Sequence, residues 1–228
     1  MAIKLFCFIL FIPTLAMGQQ KIKMDFRHGT SGIVFANADT IWFAMDTKVS
    51  SATIYHALKI EHTDNIFYSF AGLPKPSLDN KKIYDAYNIM KATIEREKDF
   101  FKSFNLFDGA ITFELTKFFH FLNKYEPKSF DKYFNEKIHV LEFVIVSFVK
   151  ETPLVKFRSY TLVGEDRNNS KIISDTTVFN EGHPCVQFIG HADKAYNFLK
   201  NNKGYLAKFN NIEDKLVCLI KTQTDAEV

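Results

Sequence analysis

Apolar and polar positions change period along this chain, and the changes divide it into blocks. Ile33-Val34-Phe35 is a short apolar run, Ala36-Asn37-Ala38-Asp39 a turn, and Thr40 to Met45 a returning run. Two such runs around a turn predict a β-hairpin. Thr47 to Ser51 reads as a polar loop. Lys59-Ile60 and Asn65 to Ala71 predict two more strands, split by Glu61-His62-Thr63-Asp64. Gly72 and Leu73-Pro74-Lys75-Pro76 end that run, because Gly and Pro break ladders and helices alike. From Ser77 the period becomes helical. Ile83, Tyr87, Met90 and Ile94 recur with charges between them, predicting an amphipathic helix from about Leu78 to about Ser103. A second is expected from about Phe107 to Tyr125, with Ile111, Leu115, Phe118, Phe119 and Leu122 on one side and Pro127 stopping it.

At Ile138 the period reverts. Ile138 to Lys150 is a long β-branched and aromatic run, Glu151-Thr152-Pro153 turns it, and Val155 to Val163 returns. Asp166 to Asn169 turns again, Lys171 to Phe179 is a weaker strand, and Val186 to Ile189 is a short one ending in Gly190. Asp193 to Asn201 and Ile212 to Thr222 predict helices. Strands, two helices, strands and two helices in segregated blocks indicate α+β layers rather than an alternating parallel fold.

Composition narrows the class without naming a chemistry. A chain of 228 residues, 46% apolar, can bury one substantial core, so one domain over residues 30–228 is expected. The net charge is +3 with Lys and Arg interleaved among Asp and Glu, which gives no electrostatic case for nucleic acid. Twenty-five Phe against one Trp suit packed layers. Lys4, the apolar stretch Leu5 to Ala16 and the small residues of Ala16-Met17-Gly18 form the pattern of a secretory signal over residues 1–18. The stretch is short of the roughly 20 residues that span a bilayer. The expectation is a secreted or periplasmic protein, membrane-free after signal removal, with residues 19–29 as a short pro-segment. Export would remove Cys7 and leave Cys185 and Cys218, either as one disulfide or, slightly better suited to Pro-Cys-Val and Val-Cys-Leu, as buried thiols. No CxxC or His/Cys spacing suits zinc, so neither a metal nor a cofactor is expected.

The candidate chemistry lies in the first hairpin. Cleavage at Gly29-Thr30 would leave threonine as a new N-terminus, and Asp46 ends the hairpin that follows. Gly29-Thr30-Ser31-Gly32-Ile33-Val34-Phe35, with Ala44-Met45-Asp46-Thr47-Lys48-Val49-Ser50, resembles the proteasome β-subunit family of N-terminal-nucleophile hydrolases, threonine peptidase type. Lys59-Ile60-Glu61, then Asn65-Ile66-Phe67 and Phe70-Ala71-Gly72, is similar to that family's lysine strand and its Ala-Gly substrate strand. Phe188-Ile189-Gly190-His191-Ala192 resembles its apolar-Gly-Ser-Gly turn. Lys221-Thr222-Gln223-Thr224-Asp225-Ala226 resembles the end of the helix carrying its supporting aspartate, Asp225 here. The resemblance spans most of residues 29–228 and implies a four-layer αββα sandwich, with or without its final strands, since the chain stops at Val228 where the family continues.

That resemblance implies a specific mechanism. A threonine hydroxyl needs a base, and the freed α-amine of Thr30, with an ordinary pKa of about 7.7–8.0, can serve. The Lys59 ammonium would disfavour protonation of that amine, and Asp46 would hold and neutralise Lys59. The Gly72 N–H would be the oxyanion donor, a role typically worth about 10²–10³ in rate. Ser50, Phe70, Ala71 and Gly72 would line a peptide bound as an added strand, with Phe70 narrowing the pocket towards small or flat side chains. The substrate is expected to be a peptide or small amide; homo-oligomerisation stays open.

Other readings of the same residues stand beside this one. Asp46 can cap a turn. The match to the glycine strand puts either Leu58 or Lys59 at the lysine position, and a one-residue slip would turn the side chain to the other sheet face. His62 and His191 suit surface or turn positions, and His191 stands where the family often has a serine that helps hold the amine. The alternative function is a catalytically inactive sandwich of the same type, acting as a binding or assembly module. A third is an exported α+β binding protein unrelated to hydrolases, in which Thr30, Asp46 and Lys59 would not cluster.

Overall fold

The structure is a computed structural model that describes residues 24–25, 31–45, 48–49, 55–56, 59–78, 81–179, 185–190, 193–202 and 212–224. The expectations for the signal and pro-segment, and those for Gly29, Thr30, Asp46, Ser50, Leu58, His191 and Asp225, lie outside the described residues. The elements in chain order are β1 (Met24–Asp25), β2 (Ser31–Ala36), β3 (Ile41–Met45), β4 (Lys48–Val49), β5 (Tyr55–His56), β6 (Glu61–Thr63), β7 (Ile66–Gly72), β8 (Ser77–Leu78) and β9 (Lys81–Lys82). There follow α1 (Ala86–Arg96), α2 (Phe100–Tyr125), α3 (Pro127–Glu136), β10 (His139–Val149), β11 (Thr152–Gly164), β12 (Ser170–Phe179), β13 (Cys185–Gly190), α4 (Asp193–Asn201) and α5 (Ile212–Thr224). The protein is α+β, built on two main antiparallel sheets.

The larger sheet has the strand order β12-β11-β10-β7-β6 and the smaller β13-β2-β3. Side chains alternate between the two faces of a strand, and here each face has its own destination. Tyr68 and Phe70 of β7, Phe143 and Ile145 of β10, and Tyr160 and Leu162 of β11 join α1, α2 and α3 in an aromatic core. Ala71, Val144, Val146 and Val155 turn the other way and meet Val34, Ala36 and Ile189 of the smaller sheet. The remaining face of β2, Ile33 and Phe35, packs on Ala195, Leu216, Leu219 and Ile220 of α4 and α5. Three apolar clusters thus separate helix, sheet, sheet and helix layers. Strands covered on both faces read as continuous apolar runs, which is why Ile33 to Phe35 and the run after Ile138 carry so few charges.

Local chemistry sets the boundaries, and several differ from the sequence expectation. The helix expected from about Leu78 begins only at Ala86, after the β8–β9 pairing of Ser77 with Lys82 and Leu78 with Lys81. Asp85 is its N-cap, accepting the Tyr87 and Asn88 N–H groups at 3.1 and 3.2 Å. Helix α1 stops at Arg96 instead of running to Ser103, because Asp99 opens a second helix by accepting the Lys102 N–H at 2.9 Å. Such caps satisfy backbone donors that lack helical partners. Pro127 does end α2, but it also occupies the first turn of α3, a helix absent from the sequence expectation; a proline there lacks only an N–H that would be unpaired anyway. Lys59-Ile60 lies outside the strands, and Glu61–Thr63, expected as the break, forms β6; the turn is Asp64-Asn65, with Asp64 at φ 53°. Within the expected polar loop, Lys48–Val49 pairs with Tyr55–His56. Cys185 is half-buried on β13 and Cys218 exposed on α5, and no disulfide joins them; burial pushes the Cys185 thiol up.

Candidate functional site

The ends of β7, β10, β13 and β2 converge. Gly72 closes β7 at φ +87°, a conformation that disfavours any Cβ, and a Cβ there would lie 2.6 Å from the Val140 carbonyl oxygen. The approach is close because β10 carries an irregularity at Val140: His139 pairs with Thr161 while Leu141 pairs with Tyr160. The carbonyl of Val140 accepts the Leu73 N–H at 2.9 Å, turning the chain away from the sheet just after Gly72. The hydroxyl of Tyr84, buried before α1, donates to the Leu73 carbonyl at 2.5 Å and holds the turn from behind.

Across the sheet-to-sheet layer, Gly190 ends β13 at φ +73°, in register with Ser31. Ser31 is buried and follows Thr30 directly in the chain. The Gly190 N–H donates to Oε2 of Glu142 on β10, the residue paired with Ala71 of β7. The Glu142 side chain is 13% exposed, and its Oε1 lies 3.8 Å from Nε2 of His139. A ring nitrogen of His139, Nδ1, lies 3.0 Å from the Thr161 hydroxyl oxygen. One carboxylate therefore ties the β7–β10 end of one sheet to the β13–β2 end of the other.

Lys59 is buried at 7% exposure, which sets it apart from a solvated strand lysine. Its carbonyl accepts the Ser69 hydroxyl at 2.7 Å and the Tyr87 hydroxyl at 3.0 Å. Those bonds fasten Lys59 to the middle of β7 and to α1, and burial pushes the Tyr87 hydroxyl up to about 12. Phe70 is fully buried against Tyr87, Phe107 and Phe143, with ring centroids 4.7, 5.5 and 5.8 Å away, so it supports β7 from the helix side. Ala71 faces the layer between the sheets. Of the residues expected from sequence, the structure thus groups Lys59, Phe70, Ala71 and Gly72 on and beside β7.

Glu142 was not among the expected site residues. Its signal was present: one acid between Leu141 and Phe143, inside a run that otherwise reads as a strand buried on both faces. Burying a carboxylate costs free energy unless hydrogen bonds compensate, so such an acid marks a polar appointment in the fold. Among the described residues, no group of three or more His, Cys, Asp or Glu could hold a metal ion. None of their helices is long and apolar enough to cross a membrane. Comparison of the chain with protein-family models and with curated proteins returns no match.

Proposed function

We propose that the chain is an exported threonine-type N-terminal-nucleophile hydrolase of the αββα kind, cleaving amide bonds in peptides or small amides. Cleavage at Gly29-Thr30 frees the Thr30 amine, which takes the proton of the Thr30 hydroxyl as that oxygen attacks the carbonyl. Lys59 keeps the amine unprotonated, Asp46 neutralises Lys59, and Asp225 supports the arrangement. The backbone N–H of Gly72 receives the developing oxyanion. Substrate lies along Ala71-Gly72 as an added strand, with Ser50 beside it.

The observation that carries this reading is the convergence at Gly72. A left-handed glycine ends the strand to which buried Lys59 is fastened, and Glu142, paired beside Ala71, reaches the Gly190–Ser31 register one residue after Thr30. The layer order helix, sheet, sheet, helix agrees with it.

Intact mass and N-terminal sequencing of purified protein test the proposal. The expected mature chain begins at Thr30 and is labelled by an electrophile directed at N-terminal threonine, and Thr30→Ala abolishes hydrolysis. A chain retaining Gln19 to Gly29, or a Thr30→Ala variant that hydrolyses normally, overturns it. The second reading is an inactive sandwich serving as a binding module, favoured by His191 in place of the serine; it predicts no labelling.

A further inference from the structure

The β11–β12 hairpin and α2 border a cavity of about 120 Å³ on the helix side of the larger sheet. Its floor is apolar. Leu162 and Ile172, cross-strand partners on β11 and β12, line it together with Phe119 of α2, and all three belong to the aromatic core or pack against it. The hairpin turn beside it is fixed at several points. Asp166 accepts the Asn168 and Asn169 N–H groups at 2.7 and 3.0 Å. The Arg167 carbonyl accepts from Nδ2 of Asn123 on α2 at 3.2 Å and from the Ser170 hydroxyl at 3.0 Å. The Arg167 guanidinium makes two bonds to the Asp131 carboxylate of α3, the one from Nε at 2.7 Å. A turn tied to both α2 and α3 keeps the space open, where an untethered one would collapse towards the close packing usual in protein interiors.

The charges around this cavity do not balance. Arg167 is neutralised by Asp131. Lys171 also lines the cavity and, among the described residues, has no ion pair. The His120 ring, on the α2 side, has no hydrogen-bond partner among them either, and no aspartate or glutamate lines the space. An apolar floor with a few convergent polar groups is the usual make-up of a small-molecule site. One spare cation beside an imidazole suits a single negative charge. Size narrows the rest: a cavity of about 150 Å³ lined by Leu, Ile and Phe binds benzene, so this space takes a hydrocarbon group of about four or five carbons. We propose that the cavity binds a small branched aliphatic carboxylate, its hydrocarbon on Phe119, Leu162 and Ile172 and its carboxylate at Lys171 and His120. Inorganic phosphate has no group to offer that floor. The proposed catalytic site lies in the layer between the sheets, so the inference does not depend on Thr30.

Titration of the full chain with sodium isovalerate at constant ionic strength, followed by NMR of the His120 ring and the Leu162 and Ile172 methyl groups, tests it. Isovalerate is expected to shift all three saturably. It should bind at least tenfold more tightly than acetate, which lacks the branched group, and than isovaleramide, which lacks the charge. Lys171→Met removes an exposed ammonium, keeps the apolar stem, and should weaken isovalerate at least fivefold. Ile172→Phe fills the floor without touching a charge and should abolish binding in a chain whose thermal unfolding shows it to be folded. No saturable shift in the wild type, or unchanged affinity in Lys171→Met, overturns the proposal. Isovaleramide or inorganic phosphate binding as tightly as isovalerate overturns the assignment to a carboxylate.

Discussion

Glu142 on β10 accepts the backbone N–H of Gly190 on β13, so this side chain bonds the larger sheet to the smaller. Its neighbours in that layer are valine, alanine and isoleucine. Leaving a buried donor unpaired costs about 1–3 kcal/mol. Glu142→Ala should therefore destabilise the fold by about that amount, while Glu142→Gln, which keeps an acceptor, should recover most of it. Urea denaturation of both variants is the check; equal stability of wild type and Glu142→Ala would show that the bond contributes nothing.

Gly72→Ala tests the turn at the end of β7. At φ +87° a left-handed alanine costs about 1–2 kcal/mol, and its Cβ would also press on the Val140 carbonyl oxygen. The loss expected from denaturant midpoints is at least about 2 kcal/mol. A neutral outcome would mean that Gly72 and Val140 sit farther apart.

Lys59 separates a structural role from a chemical one. Under the proposed mechanism, Lys59→Met should leave the bonds to the Lys59 carbonyl in place and lower kcat by about 10²–10⁴, the usual range for acid–base assistance. A variant that folds like the wild type, matures and keeps its kcat would remove Lys59 from the mechanism.

Burial raises the Tyr87 hydroxyl from 10.0 to about 12. The unfolded chain loses that proton first as pH rises, so the folded state binds more protons in between. The Tyr87 contribution is thus fully present below pH 10 and is lost as pH climbs towards 12. Burial also raises Tyr84, Tyr133 and Tyr160, so stability should fall steeply over that window. Tyr87→Phe should make the fall shallower when unfolding is followed as a function of pH; an unchanged slope would exclude Tyr87 as a contributor.

The legibility of this fold follows burial on both faces. The runs Ile33 to Phe35 and Ile138 to Lys150, and the helical repeat of Ile111, Leu115, Phe118 and Leu122, could be read directly because one face or both had to be apolar. The helix starts were harder. Asp85, Asp99 and Pro127 each open a helix, but all three types also end structure or sit in loops, and only the chain's path around the aromatic core selects between those uses. The small pairings β4–β5 and β8–β9 carry too few residues for a period to show.

The amino-acid sequence by itself determined the layered α+β composition, the long strands, and the placement of a glycine after Phe70-Ala71, because periodicity and glycine's conformational freedom are local properties of the chain. What the tertiary structure decided is which polar side chains lose their water, and that depends on residues far apart in the chain. Glu142 meets Gly190, Lys59 is bonded through its carbonyl to Ser69 and Tyr87, and Tyr160 and Arg158 share Asp108 only once β10, β11 and α2 have packed. Desolvation turns those ordinary residues into candidates for chemistry, and desolvation is a property of the packed layers.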